Sequence, residues 1–301
     1  MKEARFFYTP NAKDNDHLSP EEAAHALRVL RLKAGDEIFL MDGKGRFFRA
    51  EVTLTSRQDC CYHITEELPQ QKTWNGYIHL AIAPTKHIDR IEWMVEKATE
   101  IGFDELTFLQ TAFTERKNIR VDRIEKIVVA AAKQSRKAWL PVVNDCMSMT
   151  EFLNAPHRGA KFIAHCYDDF EKVDLMAALQ RDSNVNEAVV LVGPEGDFSH
   201  EEVAQALTKG FQSVSLGNSR LRTETAGLMA DNSYLNAVPH ESTALLSIDP
   251  VKMSGLNHVS VLRTLLQATN ISKSGIDVSH KIMLFEAPDG NLGVCAKVQD
   301  E

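Results

Sequence analysis

Short apolar runs alternate with helix-forming segments through the middle of the chain. The apolar runs predict strands at 78–83, 106–109, 162–165, 189–192 and 214–216. The segments between them predict helices at 89–101, 121–137, 200–210 and 223–237. In the first helix Ile91, Met94, Val95 and Ala98 share one face, and Gly102 can end the helix. Strands that alternate with helices indicate an α/β domain with a largely parallel sheet.

The first 70 residues have a different pattern, with several strands and a short helix. Ser19-Pro20-Glu21-Glu22 is a capping box with proline at the first helical position, and it predicts a helix through about Leu30. Strand-like runs follow at 37–41, 47–55 and 60–65, and Asp42-Gly43-Lys44-Gly45 predicts a hairpin turn. The polar, proline-containing segment 68–73 is typical of a linker, so this part is expected to be a small strand-rich module.

The last part of the chain is less regular. Residues 259–268 have helical spacing, and 281–285 and 292–297 predict two strands of a hairpin around Asp289-Gly290. We therefore expect three parts, an N-terminal module at 1–70, an α/β domain at 75–243 and a C-terminal extension at 244–301. The pattern does not indicate a role for the extension.

Composition narrows the class of protein. The chain has 301 residues, of which 44% are apolar and 25% charged, as in ordinary globular domains. No apolar run is long enough for a transmembrane helix, and the first residues lack the apolar stretch of a signal peptide. The five cysteines form no C-x-x-C pair, which favours reduced cytosolic thiols over disulfides or zinc. We expect a cytoplasmic protein without a metal site or a membrane partner.

The net charge of −8 argues at first against a nucleic-acid partner, but the charges are unevenly distributed. Between Arg116 and Lys137 eight basic residues face two acidic ones, and between Arg28 and Arg49 six basic residues face three acidic ones. A polyanion responds to such local patches rather than to the global sum. Two solvated helix faces would give the same pattern, so charge alone leaves both interpretations open.

Two glycine-bearing loops carry the clearest functional signal. Residues 191–196 and 215–226 each follow a short apolar run and lead into a helix-like pattern. Glycine lets a ligand approach the backbone closely, and the carboxyl ends of strands are where open α/β sheets bind ligands. The two loops therefore predict one shared site in the C-terminal half of the fold.

The same loops carry a family resemblance. Gly193-Pro194-Glu195-Gly196 followed by Leu221-Arg222-Thr223-Glu224-Thr225-Ala226 resembles the RsmE family of ribosomal RNA uridine-N3 methyltransferases, which belongs to the SPOUT class. The similarity covers roughly residues 3 to 240. Further matches in the same order are His25–Arg31, Lys86, Glu92, Lys97, Glu100, Gly102, Glu115-Arg116 and Gln134-Ser135-Arg136 before Pro141.

The resemblance implies a fold, a cofactor and a substrate. It implies an N-terminal PUA-like β-barrel that helps to hold RNA and a C-terminal SPOUT α/β domain with a trefoil knot. It implies a homodimer with S-adenosylmethionine (SAM) bound in the knot beside the dimer interface. The implied substrate is 16S rRNA in the small ribosomal subunit, methylated at N3 of a uridine in the decoding region.

Residue by residue, the matched motifs imply three groups of site residues. The expected cofactor-binding residues are His165, Val192, Gly193, Pro194, Glu195, Gly196, Leu216, Gly217, Asn218, Leu221, Thr223, Thr225 and Ala226. The expected RNA-binding residues are Arg28, Arg31, Lys86, Arg116 and Arg136. The expected catalytic residues are Arg222 and Glu224.

The catalytic expectation has a chemical basis. Uridine N3 loses a proton and negative charge develops on O2 and O4, which the fixed guanidinium of Arg222 is suited to stabilise. Arginine does not release a proton near neutral pH, so Glu224 or Glu195 is the candidate to accept the proton or to orient Arg222. Glu224 has a second interpretation, because a carboxylate in the first turn of a helix is favourable in itself.

Two stretches depart from the family pattern, and other functions stay open. Asp197-Phe198 stands where a further glycine and an apolar residue are common, and Asn218-Ser219-Arg220 replaces a more hydrophobic run. The alternatives are a related knotted enzyme acting on another RNA, such as tRNA, and a non-catalytic RNA-binding assembly factor. A fourth idea, nucleotide-dependent phosphotransfer, finds no phosphate-binding loop, because Gly43-Lys44-Gly45 lacks the required spacing and the following Ser or Thr.

Overall fold

The computed structural model describes residues 4–231 except 57, 73, 75, 182–186 and 218, together with the backbone of three strands between 244 and 295. The chain divides into two compact units, Met1–Ser233 and Tyr234–Glu301. The first unit contains the N-terminal module and the α/β domain, and it holds every candidate site residue.

The N-terminal module is a four-stranded sheet in the order β1-β2-β3-β4. Its elements are β1 (Phe6–Tyr8), α1 (Pro20–Ala24), a π-helical turn (His25–Val29), β2 (Glu37–Met41), β3 (Arg46–Thr55) and β4 (Cys60–Pro69). The turn predicted between β2 and β3 is confirmed, and the Asp42 carboxylate accepts hydrogen bonds from the backbone N–H groups of Lys44 and Arg46. The linker prediction was too early by two residues, because β4 pairs with β3 as far as Pro69.

The α/β domain contains a seven-stranded sheet in the order β7-β6-β5-β10-β8-β11-β9. Every pairing within it is parallel, as the alternating pattern predicts. Its strands are β5 (Tyr77–Ile82), β6 (Glu105–Gln110), β7 (Val142–Ser148), β8 (Ala160–Ala164), β9 (Val173–Asp174), β10 (Glu187–Val192) and β11 (Gln212–Ser215).

Helices cover both faces of this sheet. They are α2 (Ile88–Ile101), α3 (Val121–Ser135), α4 (Met149–Asn154), α5 (Leu175–Arg181), α6 (His200–Thr208) and α7 (Thr223–Ala230). One apolar core includes the predicted face of α2 together with Ile124 and Val128 of α3. A second core on the other side includes Phe152 of α4 and Val203 of α6. None of the described helices is long and apolar enough to cross a membrane.

Five elements of this unit were not predicted: β1, β7, α4, β9 and α5. The strand β7 lies at one edge of the sheet, where Val142 is exposed. Because an edge strand is only partly buried, β7 lacks the continuous apolar run that would have predicted it. Strand β9 has only two residues, which is too short for any periodic signal. The predicted helix 223–237 is confirmed as far as Ala230, and residues 232–237 lie outside the described part.

The basic side chains of α3 form ion pairs with acidic side chains of the first unit. Lys133 Nζ lies 2.6 Å from Glu22 Oε1, which joins α3 to the N-terminal module through a largely buried ion pair. Lys126 pairs with Glu21, and Arg123 pairs with Glu92 of α2. Much of the excess charge counted along the sequence is therefore balanced by acids that are distant in the chain.

The second unit contains a three-stranded antiparallel sheet in the order β12-β13-β14. Its strands are β12 (Ala244–Ile248), β13 (Ile282–Glu286) and β14 (Leu292–Cys295). The pairing of β13 with β14 confirms the predicted hairpin strands, whereas Asp289-Gly290 and the helix predicted at 259–268 lie outside the described residues.

A buried histidine in β5 makes the stability of the first unit depend on pH. His79 Nε2 lies 2.8 Å from Thr107 Oγ1, and burial lowers the pKa of His79 to about 4. In the unfolded chain the same histidine would bind a proton near pH 6.5. The contribution of neutral His79 to the free energy of unfolding is therefore complete above that pH and is lost as pH falls towards 4.

We therefore expect the free energy of unfolding to fall between pH 7.5 and pH 5, with about 2 kcal/mol of the loss due to His79. Urea titrations of the wild type and His79→Gln at both pH values measure that share. His63→Gln, at an exposed position in β4, is the matched control. An equal pH dependence in wild type and His79→Gln would contradict the assignment.

Candidate active site

Three loops meet at the carboxyl edge of the parallel sheet. Strand β8 lies between β10 and β11, with Ala164 paired to both Val192 and Val214. Because all three strands run in the same direction, the segments that follow them emerge side by side. The two glycine-bearing loops are therefore neighbours of the segment that begins at His165.

The loop after β10 is a tight turn. Val192, Gly193 and Pro194 are buried, and Glu195 and Gly196 are exposed. A methyl group added to Gly193 would lie 3.1 Å from the backbone of both Asp197 and Phe198, so the loop folds closely on itself at this glycine. Gly193 therefore serves the loop's own packing as well as any approach of a ligand.

Asp197 ties this loop to the loop after β8. Its carboxylate accepts hydrogen bonds from the backbone N–H groups of Cys166 and Phe198, each 2.8 Å long. Its φ of +66° lies in the left-handed region, which glycine adopts freely and aspartate tolerates better than most residues. Asp197 thus adopts the left-handed conformation that a glycine would adopt freely, and Phe198 is completely buried as the apolar residue.

His165 provides a buried nitrogen at the centre of the edge. Its Nε2 lies 2.9 Å from Ser213 Oγ of β11, whereas Nδ1 is buried without a hydrogen-bond partner among the described residues. Burial lowers the pKa of His165, so the ring is held neutral near pH 7. A neutral ring offers Nδ1 as one further donor or acceptor, according to its tautomer.

The loop after β11 combines an open backbone with an exposed arginine. Gly217 has a φ of +109°, so its conformation favours glycine, and none of the described residues places an atom within 4 Å of an added methyl group. Leu216 and Leu221 are half-buried, and Arg222 is exposed immediately before α7. Asn218 lies outside the described residues. At the start of α7, Thr223 is buried, and Thr225 and Ala226 are half-buried.

Glu224 has a partner that the sequence did not suggest. The side chain is buried in the first turn of α7, and its Oε1 lies 3.7 Å from an Nη atom of Arg90 in α2. Its Oε2 is buried without a hydrogen-bond partner in the described part of the chain. The available signal for Arg90 was its position in the first turn of α2, the helix that follows the loop after β5.

Lys86 and Arg116 lie together beside this edge. The backbone N–H of Lys86 donates to Glu195 Oε1 at 3.1 Å, and the Arg116 guanidinium donates to the carbonyl of Lys86 at 3.1 and 3.2 Å. Lys86 Nζ lies 3.0 Å from Glu115 Oε2. These contacts connect the loops after β5, β6 and β10.

The remaining candidates for RNA contact lie elsewhere. Arg28 and Arg31 are exposed at and just after the π-helical turn of the N-terminal module. Arg136 follows α3 with a φ of +56°, and its guanidinium carbon lies 5.8 Å from the centre of the Phe6 ring. The structure thus groups Lys86 with Arg116 but does not bring them together with the other three. No cluster of three or more metal-ligating side chains occurs among the residues described.

Comparisons with known proteins agree with this architecture. A family model described as an RNA methyltransferase domain matches residues 72–233, which is more than half of the chain. A second model, an RNA methyltransferase PUA domain, matches residues 18–61. The ribosomal RNA small subunit methyltransferase E of Synechocystis is 30% identical over 218 residues, 71% of this chain and 70% of the relative. The chain belongs to the RsmE family.

Solved structures support the RsmE assignment. A probable rRNA methyltransferase from Porphyromonas gingivalis is 40% identical, with a TM-score of 0.71 over 77% of this chain and 98% of that chain. A methyltransferase from Legionella pneumophila, solved with bound SAM, is 28% identical, with a TM-score of 0.68 over 78% of this chain and 98% of that chain. The N-terminal PUA-like domain and the α/β methyltransferase domain are therefore those of the RsmE fold.

Proposed function

We propose that this RsmE-family protein methylates N3 of a uridine in 16S rRNA of the small ribosomal subunit, with SAM as cofactor. The observation that carries the proposal is the meeting of three loops at the carboxyl end of β8, with Arg222 exposed beside them. Family membership and the SAM bound in the L. pneumophila relative support the cofactor. The homodimer and the trefoil knot implied by the resemblance belong to the same proposal.

The residues at the carboxyl edge of the sheet are chemically suited to bind SAM. Open backbone at Gly217 and the buried, unpartnered Nδ1 of His165 offer what an adenine and an amino-acid end require. SAM would supply there a methyl group on a positively charged sulfur. The residues proposed to hold it are His165, Val192, Gly193, Pro194, Glu195, Gly196, Leu216, Gly217, Asn218, Leu221, Thr223, Thr225 and Ala226.

Arg222 is proposed to stabilise the charge that develops on the uracil oxygens. It is exposed, it stands at the N-terminus of α7, and its side chain does not cap that helix. A guanidinium keeps its charge at any physiological pH and presents its N–H groups in a fixed plane. It can therefore stabilise negative charge on either O2 or O4 of the uracil.

Glu224 is proposed to act at the same site as a proton acceptor or as a positioning group. Its burial and its approach to Arg90 favour positioning, because that pair joins the start of α7 to the start of α2. Fixing the start of α7 also fixes the backbone from which Arg222 projects.

The target uridine must be unpaired, because N3 lies on the base-pairing edge. The proposed phosphate contacts are Arg28 and Arg31 in the PUA-like module, Lys86 and Arg116 beside the loops, and Arg136. Contacts of this kind position RNA without reading its sequence. We propose the RNA-holding role for residues 1–70 and the methyl transfer for residues 75–243, with no role assigned to 244–301.

We expect the purified protein to bind SAM in a calorimetric titration and to methylate small subunits from cells that lack this modification. Digestion and mass spectrometry of the rRNA should find 3-methyluridine at one site. Binding of SAM without a product on any ribosomal substrate would refute the proposal. A product on tRNA instead would identify a related enzyme with another substrate.

A further inference from the structure

Phe113 is an exposed aromatic side chain at the carboxyl edge of the sheet. Half of its surface, 50%, is accessible, although large aromatic side chains usually lie in the core. It stands on the loop after β6, the same loop that carries Arg116. A single exposed apolar residue is ordinary in itself, so its surroundings must decide whether it has a role.

The position of Phe113 is fixed by its own loop. The Thr114 backbone N–H donates to the Thr111 carbonyl at 3.2 Å, and the Thr111 N–H donates to Thr114 Oγ1 at 2.9 Å. These two bonds close a tight turn with Ala112 and Phe113 at its corner. Thr114 is buried, so the turn is anchored while its corner projects.

The same loop is braced against the proposed cofactor site. The Ala112 N–H donates at 2.8 Å to Glu202 Oε1 in the first turn of α6, the helix that follows the loop after β10. A methyl group added to Gly196 would lie 3.0 Å from Cβ of Phe113. Phe113 therefore packs directly against the glycine-bearing loop after β10.

Basic side chains occur on the same loop as Phe113 and on the adjoining loop after β5. Arg116 and Lys86 are held together by the bonds from the Arg116 guanidinium to the Lys86 carbonyl, and Lys117 is exposed next in the chain. An exposed aromatic face beside cations is the arrangement by which proteins hold unpaired nucleobases, because the base stacks while the cations meet the phosphates.

We propose that Phe113 is a stacking platform for an unpaired base of the RNA substrate, beside the methyl-transfer site. This inference rests on the proposed function, because it takes the loop after β10 as part of the cofactor pocket. The occupant is a nucleobase rather than a protein side chain, since Phe113 shares its loop with Arg116, which is bonded to Lys86. Phe113 also packs against a loop of the site proposed to receive a flipped uridine.

The test compares Phe113→Ala, Phe113→Leu and Phe113→Trp in the full chain. Leucine keeps apolar bulk but has no aromatic face, and tryptophan keeps the face. Val142→Ala, at a 56% exposed position at the amino end of β7, is the matched control. The readouts are SAM affinity, molecular mass in solution, affinity for a fluorescent single-stranded RNA with unpaired uridines, and kcat/KM on small subunits.

We expect Phe113→Ala and Phe113→Leu to lower RNA affinity and kcat/KM by about 5- to 150-fold, the range found for loss of one base–aromatic stack. Phe113→Trp and Val142→Ala should retain both within about twofold of wild type, and SAM affinity should not change in any variant.

Three results would overturn the platform. Wild-type RNA affinity and kcat/KM in Phe113→Leu would exclude stacking. A loss of SAM affinity in the Phe113 variants that parallels the loss of RNA affinity would make Phe113 a support for the Gly196 loop. A lower molecular mass of these variants in solution would make Phe113 a contact between two copies of the chain. If RNA affinity changes across the variants as predicted but the wild type yields no methylated product on any RNA, the proposed function is refuted while the stacking role of Phe113 is retained.

Discussion

Arg222→Ala should reduce the rate of methyl transfer by about 100- to 1,000-fold while SAM affinity stays within about twofold of wild type. Loss of one donor that stabilises developing negative charge typically costs a factor of this size. The group acts mainly when charge appears on the uracil oxygens, so the loss should be in turnover rather than in cofactor binding. Stability should be unaffected, because Arg222 is exposed and does not cap α7.

Arg220→Ala is the matched control, since Arg220 is a second exposed arginine in the same loop. Single-turnover rates at saturating SAM and saturating subunits, together with calorimetry of SAM binding, separate the two effects. Arg220→Ala should keep most of its rate. Equal losses of rate and SAM affinity in Arg222→Ala would make Arg222 a cofactor residue and remove its assigned role.

The largest loss of stability should come from Gly159→Ala. Gly159 precedes β8 with a φ of +67°, and a methyl group added there would lie 1.9 Å from the backbone carbonyl oxygen of Glu187 at the start of β10. That oxygen belongs to the backbone and cannot rotate aside, so β8 and β10 would have to separate at their first pairs. We expect this separation and the left-handed conformation together to lower the free energy of unfolding by about 3 kcal/mol or more.

Gly35→Ala separates the two contributions, because Gly35 has a φ of +88° but no atom of the described part of the chain within 4 Å of an added methyl group. Its cost should be about 1 to 2 kcal/mol, from the backbone conformation alone. Urea unfolding followed by circular dichroism measures both variants. Equal losses in the two variants would show that the sheet yields at β8 and β10 without penalty.

The strongest sequence signals were local. A buried strand such as β10 is a continuous apolar run, and the helix α2 shows its buried face through spacing alone, so both were predicted with nearly the observed bounds. Elements without such a signal were missed, as with the edge strand β7 and the two-residue strand β9. The glycine loops were predictable for the same reason, because each follows an apolar run along the chain.

Contacts across the fold carried no signal in the sequence. Arg90 meets Glu224 from 134 positions away, and Lys133 meets Glu22 from 111 positions away, so neither partner is recognisable beforehand. The role of Asp197 was visible only as a departure from a pattern. Its hydrogen bond to Cys166 depends on β8 and β10 being neighbours.

The sequence by itself determined the α/β class, the strand–loop–helix units and the residues that carry the family motifs, since each of these depends on neighbours along the chain. The tertiary structure decided the order of the strands, and with it which loops share an edge. It also decided that the cations of α3 are largely paired internally, whereas Arg222 and Phe113 stay exposed. The physical reason is that burial and charge pairing depend on which distant segments the sheet brings together.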